Sequence, residues 1–283
     1  MEFMDFARAH GLIIRDLVHG KICRCPTENK AGKRNGAFYF DRDFGWVQDW
    51  SIHPEIQLWK SDKVLTEAEL KEQKTRMEAS RRAYVKLRCQ KQAIAADKAK
   101  WILEQTELDR HAYLEKKGFP KIMGNVWHRD EQDPLLCIPM YHQEKLCGVQ
   151  LISSIGEKRF LTGQRCSDAY FKIGEGNRLF IVEGYASALS LQAILAVLKL
   201  PYCIMVAFSA GNMGRLANRH LDAFLICDND ESQTSQKVAM LSNNSWWMPP
   251  EVGMDINDYH VTHKLLKSSQ ALRKALQDSR KSV

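Results

Sequence analysis

The second half of the chain alternates short apolar runs with an apolar helical pattern. Residues 179–182 (LFIV), 202–208 (YCIMVAF) and 223–227 (AFLIC) are apolar stretches of strand length. The longer run at residues 187–200 (SALSLQAILAVLKL) has the length and composition of a buried helix. A polar glycine turn, SAGNMG, follows the second stretch. The order strand, helix, strand, helix, strand predicts a parallel sheet and an α/β fold.

The first half predicts smaller elements. Residues 1–60 contain β-like runs separated by a polar turn and predict a small antiparallel β module. Residues 61–118 lack proline and are rich in Lys, Glu, Arg, Gln and Ala, so one or two long helices are expected. Short apolar runs divided by polar turns predict a second small β subdomain at 119–172. Residues 266–283 are expected to form a C-terminal helix or tail.

Composition indicates a folded protein with a polyanionic partner. The 283 residues are 45% hydrophobic and 27% charged, with a net charge of +7 and a pI near 8.9. Basic proteins often bind nucleic acid because neutralised phosphates release counterions, but charge alone does not establish it. The eight cysteines are scattered singly, and no run is apolar and long enough for a membrane span. A cytoplasmic protein without a membrane partner is expected.

The N-terminal module contains an incomplete set of zinc ligands. Cys23 and Cys25 lie close to His19 and His53. A C-x-C pair, however, lacks the spacing of two to four residues between ligands that is usual in zinc sites. The module is therefore predicted to lack a full zinc-ligand set.

Three acidic residues follow two of the predicted strands. Glu183 ends the first strand, and Asp228 and Asp230 end the third. Ligands of open parallel sheets bind at the carboxyl ends of the strands, where these side chains would meet. Mg²⁺ prefers carboxylate and phosphate oxygens, and Mn²⁺ is an alternative. The other interpretation is that these acids are ordinary loop residues or helix caps, Asp230 in particular.

An ordered series of motifs resembles the plasmid- and phage-encoded DNA primases that carry a Toprim domain. EGYASA (183–188) is similar to their EGYATA-type signature, with Ser187 at the position of a threonine. VAFSAGNM (206–213), CDND (227–230) and MDINDYH (254–260) follow in the family's order and spacing. Upstream, HAYLEKKG (111–118), LLCIPM and GEKRFLTG (156–163) resemble the stretches that precede Toprim. The resemblance implies a Toprim catalytic domain with a Rossmann-like parallel sheet at 173–265 and a zinc-ribbon-like module at 1–60.

The resemblance also implies roles for individual acids. Glu183 would be a metal ligand or general acid/base, and Asp228 and Asp230 would coordinate magnesium. Asp258 would support a second ion, although Asp255 and Asn257 lie in the same loop. Glu183, Asp228 and Asp230 are thus the predicted catalytic residues.

Basic and small residues are candidates for contacts with nucleic acid or nucleotide. Lys158 and Arg159 resemble the basic residues of the primase groove, the alternative being an exposed strand end. Ser209, Gly211 and Asn212 lie in a loop before a helix, whose backbone N–H groups suit a phosphate. A plain tight turn explains that loop nearly as well.

Four tryptophans are candidates for base stacking, although aromatic residues more often fill cores. They are Trp46, Trp50, Trp246 and Trp247.

The sequence thus predicts a magnesium-dependent DNA primase that makes short primers on single-stranded DNA from nucleoside triphosphates. This activity would serve plasmid or phage replication. No Walker loop occurs, so a helicase partner would be a separate protein. The alternatives are a Toprim-type nuclease and a non-catalytic binding protein of a mobile element.

Overall fold

The computed structural model describes residues 1–49, 53–63, 66–129, 132–231 and 233–279. The chain divides into two compact units, Met1–Cys89 and Gln90–Val283. The division falls within a long helix, so the predicted helical segment contributes to both units. Each unit is described by itself.

The first unit is built on an antiparallel sheet, as predicted for residues 1–60. Its elements are α1 (Phe3–Ala9), β1 (Ile22–Cys25), β2 (Gly36–Asp41), β3 (Phe44–Asp49) and β4 (His53–Lys60), with the strands in sequence order. Phe3 packs against Phe40 and Trp59 at centroid distances of 4.8 and 5.5 Å. A side chain at Gly45 would place its Cβ 2.5 Å from the Phe3 ring, so this glycine is needed for close packing.

Helix α2 (Glu67–Glu104) is 38 residues long and has little apolar periodicity. Its buried residues, Ala95, Ala99 and Ile102, all lie in its last third. The prediction of helix up to residue 118 was wrong beyond residue 104. There, β5 (Glu107–Asp109) pairs with β6 (Gly124–Arg129), and only the short helix α3 (Ala112–Lys116) follows. Strand pairing within the unit outweighs the local helix propensity of this segment.

The second unit contains an antiparallel sheet and a mostly parallel one. The antiparallel sheet has the order β5-β6-β7-β8-β9. Its further strands are β7 (Gln132–His142), β8 (Lys145–Ile152) and β9 (Lys158–Phe160). The end of α2 covers one face, where Ala99 and Ile102 pack with Cys137 and Val149. The small β subdomain predicted at residues 119–172 contains β6 to β9, whereas β5 lies before it, in the segment predicted as helical.

The mostly parallel sheet has the strand order β10-β12-β11-β13-β14. Its strands are β10 (Phe171–Ile173), β11 (Leu179–Val182), β12 (Cys203–Val206), β13 (Phe224–Ile226) and β14 (Ser245–Trp247). Its helices are α4 (Tyr185–Val197), α5 (Ala210–Ala217), α6 (Thr234–Leu241) and α7 (Ile256–Asp278). All neighbouring strands are parallel except β10, which is antiparallel to β12.

Helices cover both faces of this sheet. Phe180 and Val182 point to the core that contains residues of α4 and α7. Ile181, between them, points to the core that contains residues of α5 and α6. Because the strands are buried on both faces, they are apolar without alternation, and the pattern predicts three of them.

The structure corrects three details of the predicted α/β organisation. Strands β10 and β14 were missed, because each has only three residues at an edge of the sheet. The C-terminal helix predicted at 266–283 is the part of α7 that follows a kink at Lys264, whose φ is +65°, but α7 itself begins earlier, at Ile256. The glycine turn SAGNMG is the start of α5, with Ser209 as its N-cap.

Three of the tryptophans are partly buried. Trp247 packs on the core of α4 and α7, and Trp246 on the core of α5 and α6. Trp46 stacks on Tyr39 in the first unit, at a centroid distance of 6.4 Å. Trp50 lies outside the described residues. These contacts are those of packing residues.

The helices of the described part are all too short or too polar to cross a membrane.

Replacing Leu191 with Ala should destabilise the protein by about 2–5 kcal/mol, because Leu191 is fully buried between α4 and the sheet. Urea denaturation measures the change. Leu241→Ala is the matched control, since Leu241 is 84% exposed and its replacement should change stability by less than about 0.5 kcal/mol. Equal losses in both variants would contradict the assigned core.

Candidate active site

The predicted catalytic acids lie at the carboxyl edge of the parallel sheet. Glu183 directly follows β11, and Asp228 and Asp230 follow the neighbouring parallel strand β13. The adjoining strand β12 ends at the same edge, where the backbone N–H of Phe208 donates to the Glu183 carbonyl at 2.8 Å. Parallel pairing therefore brings together acids that are 45 residues apart in sequence.

Glu183 is half-buried, and its surroundings disfavour the ionised form of its carboxyl group. Burial raises the pKa of Glu183, and the negative charges of Asp230 and Asp255 raise it further. The Ser235 hydroxyl, which donates to Oε2 at 3.3 Å, and the ammonium of Lys158 act in the opposite direction. Glu183 is thus a carboxyl whose proton affinity is tuned by both its neighbours and its burial.

Asp228 shows the same effect more strongly. Burial, with the charges of Asp255 and Glu183 next in size, raises the pKa of Asp228 to about 7. Lys158 again opposes the shift. The charges of four acids and one lysine therefore act on one another at this edge, and a bound cation would relieve the repulsion.

Asp255, and not Asp258, is the C-terminal acid whose charge acts on Glu183 and Asp228. Asp255 is the N-cap of α7 and accepts the Asp258 backbone N–H at 2.8 Å. The Asp258 carboxylate accepts the Asp255 backbone N–H at 3.4 Å and a hydrogen bond from Lys117 Nζ at 3.3 Å. The role of Asp258 toward a second ion stays a prediction.

Asn229, between the two aspartates, fixes the loop that leads to Asp255. Its side chain donates to the Pro249 carbonyl at 2.9 Å, and its backbone N–H donates to the Met254 carbonyl at 3.0 Å. Asn257, the other candidate of that loop, is fully buried and donates to the Lys117 carbonyl and the Ser190 hydroxyl. The side chains of both asparagines thus bind backbone carbonyl groups of neighbouring segments and hold those segments in place.

The structure separates the two predicted basic residues. Lys158 Nζ lies 3.7 Å from the position that a Cβ on Gly184 would occupy, beside Glu183. Arg159, on the other face of β9, pairs with Glu157 at 2.7 Å and is exposed. Of the two, Lys158 is the one brought to the acids.

The predicted phosphate loop is the first turn of α5. Ser209 is exposed and accepts the Asn212 backbone N–H at 3.3 Å, and Gly211 is exposed. The Asn212 side chain is buried, donating to the Ala169 and Ala207 carbonyls and accepting the Asp168 N–H. The side chain of Asn212 is therefore committed to the protein, and the exposed groups are those of Ser209 and Gly211.

A cavity of about 470 Å³ has Lys158, the lysine beside Glu183, in its wall. Its lining includes three lysines (Lys116, Lys117 and Lys158) together with Tyr113 and Asp258. Burial, followed by the negative charge of Asp255, raises the pKa of Tyr113, so this phenol stays protonated. Three ammonium groups in one cavity suit a polyphosphate.

The donor chemistry of the edge fits a hard cation with few protein ligands. Within the described ranges, no three His, Cys, Asp or Glu side chains form a ready-made metal cluster. Mg²⁺ commonly binds one or two carboxylates and completes its octahedron with water and substrate phosphate. Burial is the main cause of the raised pKa of Asp228, the charges of Asp255 and Glu183 add to it, and Lys158 offsets it only in part.

Sequence reasoning missed several residues of the site. Ser235 and Asn229 carry no signal of their own beyond proximity to the aspartates. Tyr113 and Lys117 lie within the motif HAYLEKKG, so that motif was the available signal for the cavity wall. The contribution of Asp255 follows from its position as the helix cap.

Comparison with known proteins gives little further information. No family model matches the chain. The chain is similar to one chain of a solved structure, with a TM-score of 0.43. That structure is of bacteriophage T7 lagging-strand DNA polymerase interacting with primase domains of two gp4 subunits, which are bound to an RNA/DNA hybrid and dTTP. The match has 12% identity and covers 60% of this chain and 91% of that chain. A likeness of this strength supports no conclusion about function.

Replacing Asp228 with Asn should stabilise the metal-free protein at pH 8 and have little effect at pH 4. Because the pKa rises from 3.8 to about 7 on folding, the folded protein keeps a proton that the unfolded chain releases between these values. Wild-type stability therefore falls as pH rises from about 4 to 7. At about 1.4 kcal/mol per pKa unit, the gain is at most about 4 kcal/mol.

Urea denaturation in EDTA across this pH range measures the effect. Asp222→Asn, at an exposed acid, is the control, and its stability should follow that of the wild type across this pH range because Asp228 is still present. A constant difference between wild type and Asp228→Asn at all pH values would contradict the assigned environment.

Proposed function

We propose that the chain is a magnesium-dependent nucleotidyltransferase of the DNA-primase type, with residues 173–265 as a Toprim-like catalytic domain. The observation that carries the proposal is the meeting of Lys158 with Glu183 and Asp228, from two different sheets, at one edge. Phosphoryl transfer between nucleotides needs this combination, because acids hold the metal and a cation offsets charge on the phosphate.

Glu183, Asp228 and Asp230 would hold the metal, with Asp255 close enough to add its charge. Asp258 would support a second ion. It lies in the wall of the cavity, where it binds Lys117. Magnesium, or manganese in its place, would supply positive charge to the phosphate oxygens and to the attacking hydroxyl.

Glu183 is suited to move the proton of the attacking 3′ hydroxyl. General acid/base catalysis works best when the pKa of the group approaches the working pH. Burial raises the pKa of Glu183 in that direction, and Ser235 fixes one of its oxygens.

The lysine-lined cavity would take the triphosphate. Lys116, Lys117 and Lys158 surround a space large enough for it, and Lys158 lies where the cavity meets the acids. Arg159 and the exposed start of α5 at Ser209 and Gly211 are further candidates for phosphate contacts. The partners proposed are single-stranded DNA, nucleoside triphosphates and a separate helicase.

Wild-type protein should make short oligonucleotides from labelled nucleoside triphosphates on single-stranded DNA with magnesium. Glu183→Gln should lower the rate by about 10²–10⁴-fold, the usual contribution of a general acid/base. Asp228→Asn should lower it at least as far, since it removes a proposed metal ligand. Product resolved on a denaturing gel is the measurement.

Asp222→Asn is the matched carboxylate control and should retain wild-type synthesis. If all four proteins fail to make product while the wild type nicks supercoiled DNA with magnesium, the nuclease alternative replaces the primase proposal. If neither reaction occurs, the chain acts as a binding protein.

Magnesium should raise the thermal stability of the wild type at pH 8, because a ligand that binds only the folded state stabilises it by mass action. At 100 times Kd the gain is about 2.7 kcal/mol. Asp228→Asn should lose most of this gain, whereas Asp222→Asn should keep it. Differential scanning fluorimetry with and without EDTA measures the shift independently of activity. Identical shifts in both variants would place the ion elsewhere.

A further inference from the structure

An exposed phenylalanine lies on the strand that delivers Lys158 to the acids. Lys158 and Phe160 are two residues apart in β9, so strand alternation places both side chains on the same face. Since Lys158 acts on Glu183 and Asp228, Phe160 faces the same region. Its surface is 41% exposed, an unusual state for a strand aromatic beside charged groups.

A second aromatic ring meets Phe160 from the parallel sheet. The rings of Phe160 and Phe208 are 6.4 Å apart at an interplanar angle of 85°, an edge-to-face contact. Phe208 is bound through its backbone N–H to the Glu183 carbonyl. The aromatic pair is thus fixed directly to a predicted catalytic residue.

The backbone of Phe208 is held in an unfavourable conformation. Its φ is +66°, in the left-handed region that large side chains rarely adopt. Such conformations persist where the surrounding structure enforces them, and they concentrate at functional sites. Here the hydrogen bond to Glu183 and packing on the cores around the sheet enforce it, and the ring is turned toward Phe160.

We propose that Phe160, supported by Phe208, is a stacking surface for a nucleobase next to the catalytic acids. This inference rests on the proposed function and specifies which part of the substrate binds here. An aromatic face accepts any base, and the ammonium group of Lys158, on the same face of β9, would meet the phosphate next to that base. That pairing of aromatic ring and cation is the means by which proteins bind single-stranded nucleic acid.

The base has two sources, the incoming nucleoside triphosphate and the single-stranded template. Two fluorescent probes separate them: ethenoadenosine triphosphate, and a single-stranded oligodeoxynucleotide containing 2-aminopurine. Fluorescence of both probes falls when the base stacks on an aromatic ring. Each is titrated alone into the full chain with magnesium, so no bond is formed.

Phe160→Leu removes the aromatic face and keeps an apolar strand residue, whereas Phe160→Trp keeps the face. Loss of one stacked base weakens binding by about 5- to 150-fold, so Phe160→Leu should weaken binding of at least one probe in this range. Phe160→Trp should restore the affinity and the quenching. Leu221→Ala, at a position 69% exposed, should bind as the wild type does.

Inorganic tripolyphosphate, displacing either probe, tests whether the effect belongs to the base. Its affinity should be the same for wild type and Phe160→Leu. If Phe160→Leu weakens binding of the nucleotide probe alone, the base that stacks is that of the incoming nucleotide. If it weakens binding of the DNA probe alone, the base belongs to the template. If it weakens binding of both, the two bases share the surface.

Unchanged binding of both probes to Phe160→Leu would overturn the proposal. So would a loss of tripolyphosphate affinity in Phe160→Leu as large as the loss of probe affinity. Failure of the wild type to bind either probe would overturn it as well. Binding is measured without synthesis, so the outcome is independent of the primase assay. A protein that makes primers and yet shows no effect at Phe160 would refute the stacking surface alone.

Discussion

The burial of several carboxyl groups beside one another, at the carboxyl edge of the parallel sheet, is the constraint on which the candidate site depends. Burial and the neighbouring charges raise the pKa of Asp228 to about 7 and also raise that of Glu183. A protein that keeps such a cluster loses stability at neutral pH unless a cation compensates it. Lys158 supplies part of that compensation, and the remainder is available to a ligand.

The two sheets of the second unit contribute different side chains to the candidate site. The parallel sheet contributes acids, because its strands all end at one edge and their loops begin there. The antiparallel sheet contributes Lys158 and Phe160 through its last strand. A site of acids, cation and aromatic ring therefore arises where an edge of one sheet meets the end of the other, with the lysine-lined cavity alongside.

Several polar residues near the site act on the backbone and not on a ligand. Asn229 ties the β13 loop to the loop before α7, and Asn212 ties α5 to the segment around Asp168. Asp258 shares its carboxylate between a capping box and Lys117. Such bonds fix the backbone of the loops at this end of the sheet.

The sequence by itself determined the alternation of strands and helices in 178–227 and the acids at the strand ends. Strands buried on both faces must be apolar throughout, and polar side chains can follow only where such a strand leaves the sheet. Local pattern could not find β10, β14 or the end of α2, because three-residue edge strands and a helix-rich composition carry no periodic signal. Two choices were decided only by the tertiary structure. Lys158, and not Arg159, lies beside the acids, and the charge that acts on Glu183 and Asp228 is that of Asp255, not that of Asp258. Those choices depend on which face of β9 meets the acids and on how α7 is capped, and both are set by contacts between residues far apart in sequence.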